Sequence, residues 1–138
     1  MKKECTVKIT DIQYDDGEKE SIEITTKGTF EGEAGNYKLS FDEIFDTDMR
    51  SHTVVSVKNG DCVTIVRQGD ITTELTVERG KRHNCHYLTP YGEMMLGISA
   101  NQIEDGITEN GGVLKLVYLI DYYTNVAALK EMLLEVTD

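Results

Sequence analysis

The sequence predicts an antiparallel all-β domain, a barrel or a sandwich of about eight to ten strands spanning residues 1–138. Three observations predict it. Apolar and polar residues alternate with period two through nearly every run, glycine-, asparagine- and aspartate-containing turns recur at short intervals, and almost nothing has helical period before the last segment.

From the amino end, Thr6 to Tyr14 sets Val7 and Ile9 against Thr6, Lys8 and Thr10. The pattern changes phase near Asp11, where Ile12 and Tyr14 take the other parity, and a bulge there would account for it. Asp15-Asp16-Gly17 is turn chemistry. Ser21 to Glu31 then carries Ile22, Ile24, Thr26, Gly28 and Phe30 on one face, and Gly28 within that face marks a bend or a close backbone approach. Beyond Gly35-Asn36, the odd positions Tyr37, Leu39, Phe41, Glu43 and Phe45 share a face on which Glu43 is the polar exception.

His52 to Lys58 and Cys62 to Gln68 are β-branched runs joined by Asn59-Gly60-Asp61, a tight-hairpin signal. Ile71 to Glu78 alternates again, and Arg79-Gly80 turns the chain into Val77 to Ile98. The sole proline, Pro90, lies there in Thr-Pro-Tyr-Gly. A proline cannot donate to a ladder, so this reads as strand, corner, strand. On the amino side His83, Cys85, Tyr87 and Thr89 share a face; on the carboxyl side Met94, Leu96, Ile98 and Ala100 do. Gln102, Glu104 and Asp105 break the pattern before Asn110-Gly111-Gly112. Val113 to Tyr123 is the most apolar strand, which predicts cover on both faces. In Asn125 to Val136, propensity favours a helix behind an Asn125 cap. The alternation of Met132, Leu134 and Val136 favours a strand that would close the sheet, and strand is the preferred reading.

At 138 residues one domain can bury roughly 65 to 70% of its unfolded surface. The formal charge of −11, spread along the chain, argues against nucleic acid and against an anionic membrane surface. Met1-Lys2-Lys3-Glu4-Cys5 leads directly into alternating sequence without a signal-like apolar stretch, and the apolar run Val113 to Ile120 is far short of the ~18 residues of a spanning helix. Cys5, Cys62 and Cys85 are odd in number and lack CxxC spacing, which favours free thiols in a reducing cytoplasm.

Several segments together resemble a known family. Thr26-Lys27-Gly28, Tyr37-Lys38-Leu39-Ser40-Phe41-Asp42-Glu43, Val66-Arg67-Gln68-Gly69, Glu78-Arg79-Gly80-Lys81-Arg82-His83 and Tyr87-Leu88-Thr89-Pro90-Tyr91-Gly92 are similar to the YwiB-like family of small bacterial β-barrels. That resemblance covers nearly the whole chain. It implies a single antiparallel calycin-type, lipocalin-like barrel in the cytoplasm, with no assigned activity and therefore no catalytic residue to carry over. The chain departs from the family's pattern at Thr124 to Leu129, which is more helix-prone than a barrel strand.

Chemistry is then read from the residues. Glu43 lies on an apolar parity and Arg67 shares one with Val63 and Ile65, so an inward Glu43–Arg67 contact is expected, as a pocket floor for a ligand head group or as a structural ion pair. His83, Cys85 and His86 suggest a zinc cluster, but His86 points away from the other two, so neither metal nor cofactor is expected. A Cys85–His83 nucleophile pair lacks a supporting signature, and the reading leans away from an enzyme. The preferred function is binding of a small amphipathic ligand by Tyr37, Phe41, Glu43, Arg67, His83, Tyr87 and Tyr91, with Met95 nearby, in a lumen or at its mouth. The alternative is a side-chain-filled barrel that presents an acidic surface to a protein partner.

Overall fold

A computed structural model describes residues 2–15, 17–45, 49–70, 72–89, 92–122 and 125–137, with the side chains at 15, 45, 49, 87–89 and 125–127 outside that description. Ten strands follow in chain order: β1 (Lys2–Asp15), β2 (Glu18–Glu33), β3 (Asn36–Phe45), β4 (Met49–Lys58), β5 (Cys62–Gly69), β6 (Thr72–Glu78), β7 (Arg82–Thr89), β8 (Gly92–Asp105), β9 (Gly112–Tyr122) and β10 (Asn125–Thr137). Each pairs antiparallel with its sequence neighbours, and β1 pairs with β10, so the meander closes into a barrel without a free sheet edge.

The alternation decides which side chains fill the lumen. Val7 and Ile9 of β1, Phe30 of β2, Leu39 and Phe41 of β3, Val55 and Val57 of β4, and Val63 and Ile65 of β5 are buried with their counterparts from the other strands in one cluster. Asn59 and Gly60 both adopt positive φ, 53° and 65°, the twist that a tight hairpin between right-twisted strands requires. Segment 125–137 is a strand: Met132, Leu134 and Val136 are buried, and the β-ladders to β1 and β9 override local helix propensity.

Two local expectations need correction. β1 has no bulge at Asp11, which stays in register opposite Ile22 and Met132. The phase change arises because Asp11 keeps an inward position, lining a cavity beside Ile9, while Tyr14 is exposed. The bulges lie at Ala100/Gln102 in β8 and at Val126/Ala128 in β10. The first moves the inward parity from Ile98 to Ile103 and explains the broken pattern there. Strand β9 is also not covered on both faces. Its lumen row of Leu114, Leu116 and Tyr118 is buried, whereas Val113 is 44% exposed, and among the described residues no second layer lies outside it.

The two ends of the barrel differ. At the end where β8 runs into β9, Ile107 from the connection is buried in the core, and Phe30 stacks on Tyr37 at 5.3 Å between ring centroids. The Tyr37 hydroxyl donates to Asp105 Oδ1 at 2.9 Å, and the Ile107 amide donates to the same oxygen at 3.2 Å. Side chains fill this end. Burial, reinforced by the Asp105 carboxylate, raises the Tyr37 phenol well above its ordinary range. A raised folded-state pKa means that its stabilisation is complete below the unfolded value near 10 and is lost as pH rises beyond it. Tyr37→Phe should therefore cost about 1 kcal/mol at neutral pH. It should also show a shallower decline of stability than the parent above about pH 10, read from urea midpoints across that range. Parallel declines would contradict the assignment.

Candidate functional site

Strands β3, β4 and β5 carry an unusual inward group on neighbouring positions. Thr53 pairs in register with Phe41 on one side and with Arg67 on the other, and Glu43 lies one inward step beyond Phe41. Alternation thus places a carboxylate, a hydroxyl and a guanidinium together inside an apolar barrel. Glu43 is 2% exposed and Arg67 7%. Arg67 Nε donates to Glu43 Oε1 at 3.1 Å, and Thr53 Oγ1 donates to the same oxygen at 2.5 Å. Burial works against the Arg67 charge, but the opposing charge of Glu43, with lesser contributions from Tyr118 and Asp11, holds the guanidinium above its usual pKa. A buried ion pair persists only with such supplementary hydrogen bonds.

This pair helps wall a cavity of about 190 Å³ in the half of the barrel away from Ile107. The rest of the wall is largely apolar, including Ile9, Ile24, Leu75, Leu96, Ile98 and Tyr118. A second pair faces it: Lys130 Nζ donates to Asp11 Oδ2 at 3.3 Å. Asp11 Oδ1 is buried without a hydrogen-bond partner, as is Thr73 Oγ1 on the strand next to Arg67. The lumen-facing rows continue upward to Ile22, Met94 and Tyr122, which are 60%, 44% and 43% exposed, so the wall opens into an apolar mouth.

Of the residues singled out from sequence, Glu43 and Arg67 meet at this cavity. Tyr37 sits instead at the filled end beside Asp105. Phe41 is part of the packed core and borders a shallow outer groove by Gly28 rather than the cavity. His83 is also elsewhere, its Nε2 2.8 Å from Glu78 Oε1. That hydrogen bond, aided by Lys81, holds the Glu78 carboxyl below its usual range. Met95 has the outward parity and is 49% exposed, because Leu96 and Ile98 take the lumen positions of β8. The side chain of Tyr87, and Pro90 and Tyr91 altogether, lie outside the described residues. The flanking Thr89 and Gly92 do pair, as a hairpin corner requires.

The residues considered for metal or nucleophilic chemistry are each engaged by other partners. His86 faces the other way and its Nδ1 lies 2.7 Å from Glu93, while Cys85 is buried. The Thr76 amide donates to Cys85 Sγ at 3.4 Å. Burial raises the pKa of both the Cys62 and the Cys85 thiols, the direction away from a reactive thiolate. Among the described residues, no three His, Cys, Asp or Glu side chains are grouped to hold a metal ion.

Sequence reasoning missed Asp11, Lys130 and the upper wall formed by Ile24 and Leu96. The signal was present for two of them. Asp11 continues the parity of Val7 and Ile9, and Lys130 that of Met132 and Leu134; each is a charge on an apolar row, the same signature that marked Glu43.

The fold and its cavity define a class: a closed ten-stranded antiparallel meander barrel, filled at one end and hollow near the other. Residues 7–132 match the family described as a domain of unknown function, DUF1934, and the chain belongs to that family. It is 28% identical over 120 residues to the "Uncharacterized beta-barrel protein YwiB" of Bacillus subtilis (strain 168), covering 86% of this chain and 83% of that one. The crystal structure of the ywiB protein from Bacillus subtilis superposes with a TM-score of 0.85 at 24% identity, over 99% of this chain and 92% of that one. The YwiB-like resemblance and a closed antiparallel β-barrel are thus established, and the relative's name assigns no activity.

Proposed function

We propose that the chain binds a small amphipathic molecule in the hollow half of its barrel and does not transform it. The observation that carries this reading is the cavity itself, about 190 Å³ with apolar walls and a few convergent polar groups, Glu43, Arg67, Asp11 and Lys130. Binding sites have this composition. The volume is below the ~300 Å³ at which drug-sized pockets begin, which limits the occupant to a compact molecule. Free cysteines at 5, 62 and 85 are compatible with a cytoplasmic setting.

The test is native mass spectrometry of the protein as purified from its host, with extraction and identification of whatever is retained. A stoichiometric small-molecule adduct is expected, absent from a folded Leu96→Trp variant whose larger ring occupies the cavity. An adduct retained equally by that variant would move the site elsewhere. A bare mass, together with no thermal stabilisation by any of a panel of compact amphiphiles, would overturn the proposal.

A further inference from the structure

The charges facing the cavity restrict what it can accept. Arg67 is the group to which an anionic head would ordinarily bind, but it is buried and already paired with Glu43, whose Oε1 also accepts from Thr53. An incoming carboxylate or phosphate would have to share that cation with Glu43, enclosing a second negative charge beside a single guanidinium. The other cation, Lys130, is engaged by Asp11 Oδ2. Two cations and two carboxylates thus face a cavity with no net charge, inside a chain whose formal charge is −11. The field of the whole molecule disfavours anions.

A donor fares differently. Asp11 Oδ1 belongs to a residue lining the cavity, yet it is buried and has no hydrogen-bond partner. A closed-off acceptor of this kind is unfavourable until a donor reaches it. Ile9, Ile24 and Ile120 line the same cavity, and Leu75, Leu96 and Ile98 offer apolar surface to the rest of a ligand. The volume, about 190 Å³, is slightly larger than a ~150 Å³ engineered cavity that admits benzene.

We infer that the ligand is a compact amphiphile of about six to eight carbon atoms whose polar end is a hydrogen-bond donor, a primary amine or an alcohol, directed at Asp11, and not an anion seated on Arg67. This inference rests on the binding reading above. The ammonium N–H or the alcohol O–H donates to the Asp11 carboxylate, and the hydrocarbon portion lies against the leucine and isoleucine walls.

The experiment is isothermal titration of the intact protein near neutral pH with three probes of equal length: 1-hexylamine, 1-hexanol and sodium hexanoate. The amine and the alcohol are expected to bind, with hexanoate at least about tenfold weaker. Asp11→Asn should lower hexylamine affinity by about tenfold, the corresponding change for the alcohol being smaller. Hexanoate binding as tightly as hexylamine would overturn the donor inference and leave a binding barrel standing. Failure of all three probes at millimolar concentration would overturn the cavity as a site, and this inference with it. The ranking of probes on the unaltered chain decides the matter even if Asp11→Asn does not fold, and circular dichroism of that variant establishes whether its titration is informative.

Discussion

Arg67→Ala is expected to destabilise the protein by about 3–5 kcal/mol, among the largest effects available from a single substitution in this chain. The reason is not the strength of the ion pair but what its loss leaves behind. Glu43 would remain 2% exposed, its carboxylate facing an apolar lumen and accepting a hydrogen bond from the Thr53 hydroxyl at 2.5 Å but without its cation. Glu43→Gln keeps an oxygen that accepts from both Thr53 and Arg67, so it should cost much less. The double variant Glu43→Gln/Arg67→Met removes both charges while retaining most of the volume, and should be more stable than Arg67→Ala alone. Urea denaturation of these variants and of Arg67→Met, which closes the double-mutant cycle, checks this through the coupling energy. Additive losses would show that the two groups do not act as a pair.

The second large effect is expected at Gly28. It lies in the lumen row of β2 with Phe30, opposite Cys5 of β1 and Phe41 of β3. A Cβ added there would stand 2.8 Å from the Ser40 carbonyl oxygen and 2.8 Å from Val7 Cγ2. One of these is a flexible side-chain end, but the other is backbone held in the β2–β3 ladder. Gly28→Val should therefore cost at least about 2–3 kcal/mol, with Gly28→Ala intermediate, both read from denaturation midpoints. A valine tolerated without loss would mean that β2 and β3 can separate without disturbing the core.

Much of this architecture could be read in the residues because strand alternation is a local signal. Glu43 and Arg67 stood out as charges on apolar rows, and their partnership followed from the cost of enclosing either alone. Asp11 offered the same signal and was misread, since a bulge and an inward-facing charge leave identical marks on a one-dimensional pattern. Cross-strand register distinguishes them: Asp11 faces Met132 and Ile22 without interruption. Tyr37, Phe41 and His83 failed as cavity residues for a different reason. Parity tells which face a side chain takes but not its height along the barrel axis, and Tyr37 is six residues from Glu43, enough to carry it to the opposite end beside Asp105.

The sequence by itself determined an all-β chain, its turns, the faces of most strands and the inward Glu43–Arg67 pair, because each depends on contacts between near neighbours or on the cost of a single buried group. Only the tertiary structure decided that segment 125–137 is a strand, that Ile107 helps fill one end, and that a cavity remains at the other beside Asp11 and Lys130. Those outcomes depend on barrel closure. Pairing β10 with β1 joins residues more than a hundred positions apart, and the energy of those ladders exceeds the helix propensity of Ala127, Ala128 and Leu129. Closure also determines how the ten inward rows meet, and hence where side chains fill the lumen and where they leave space.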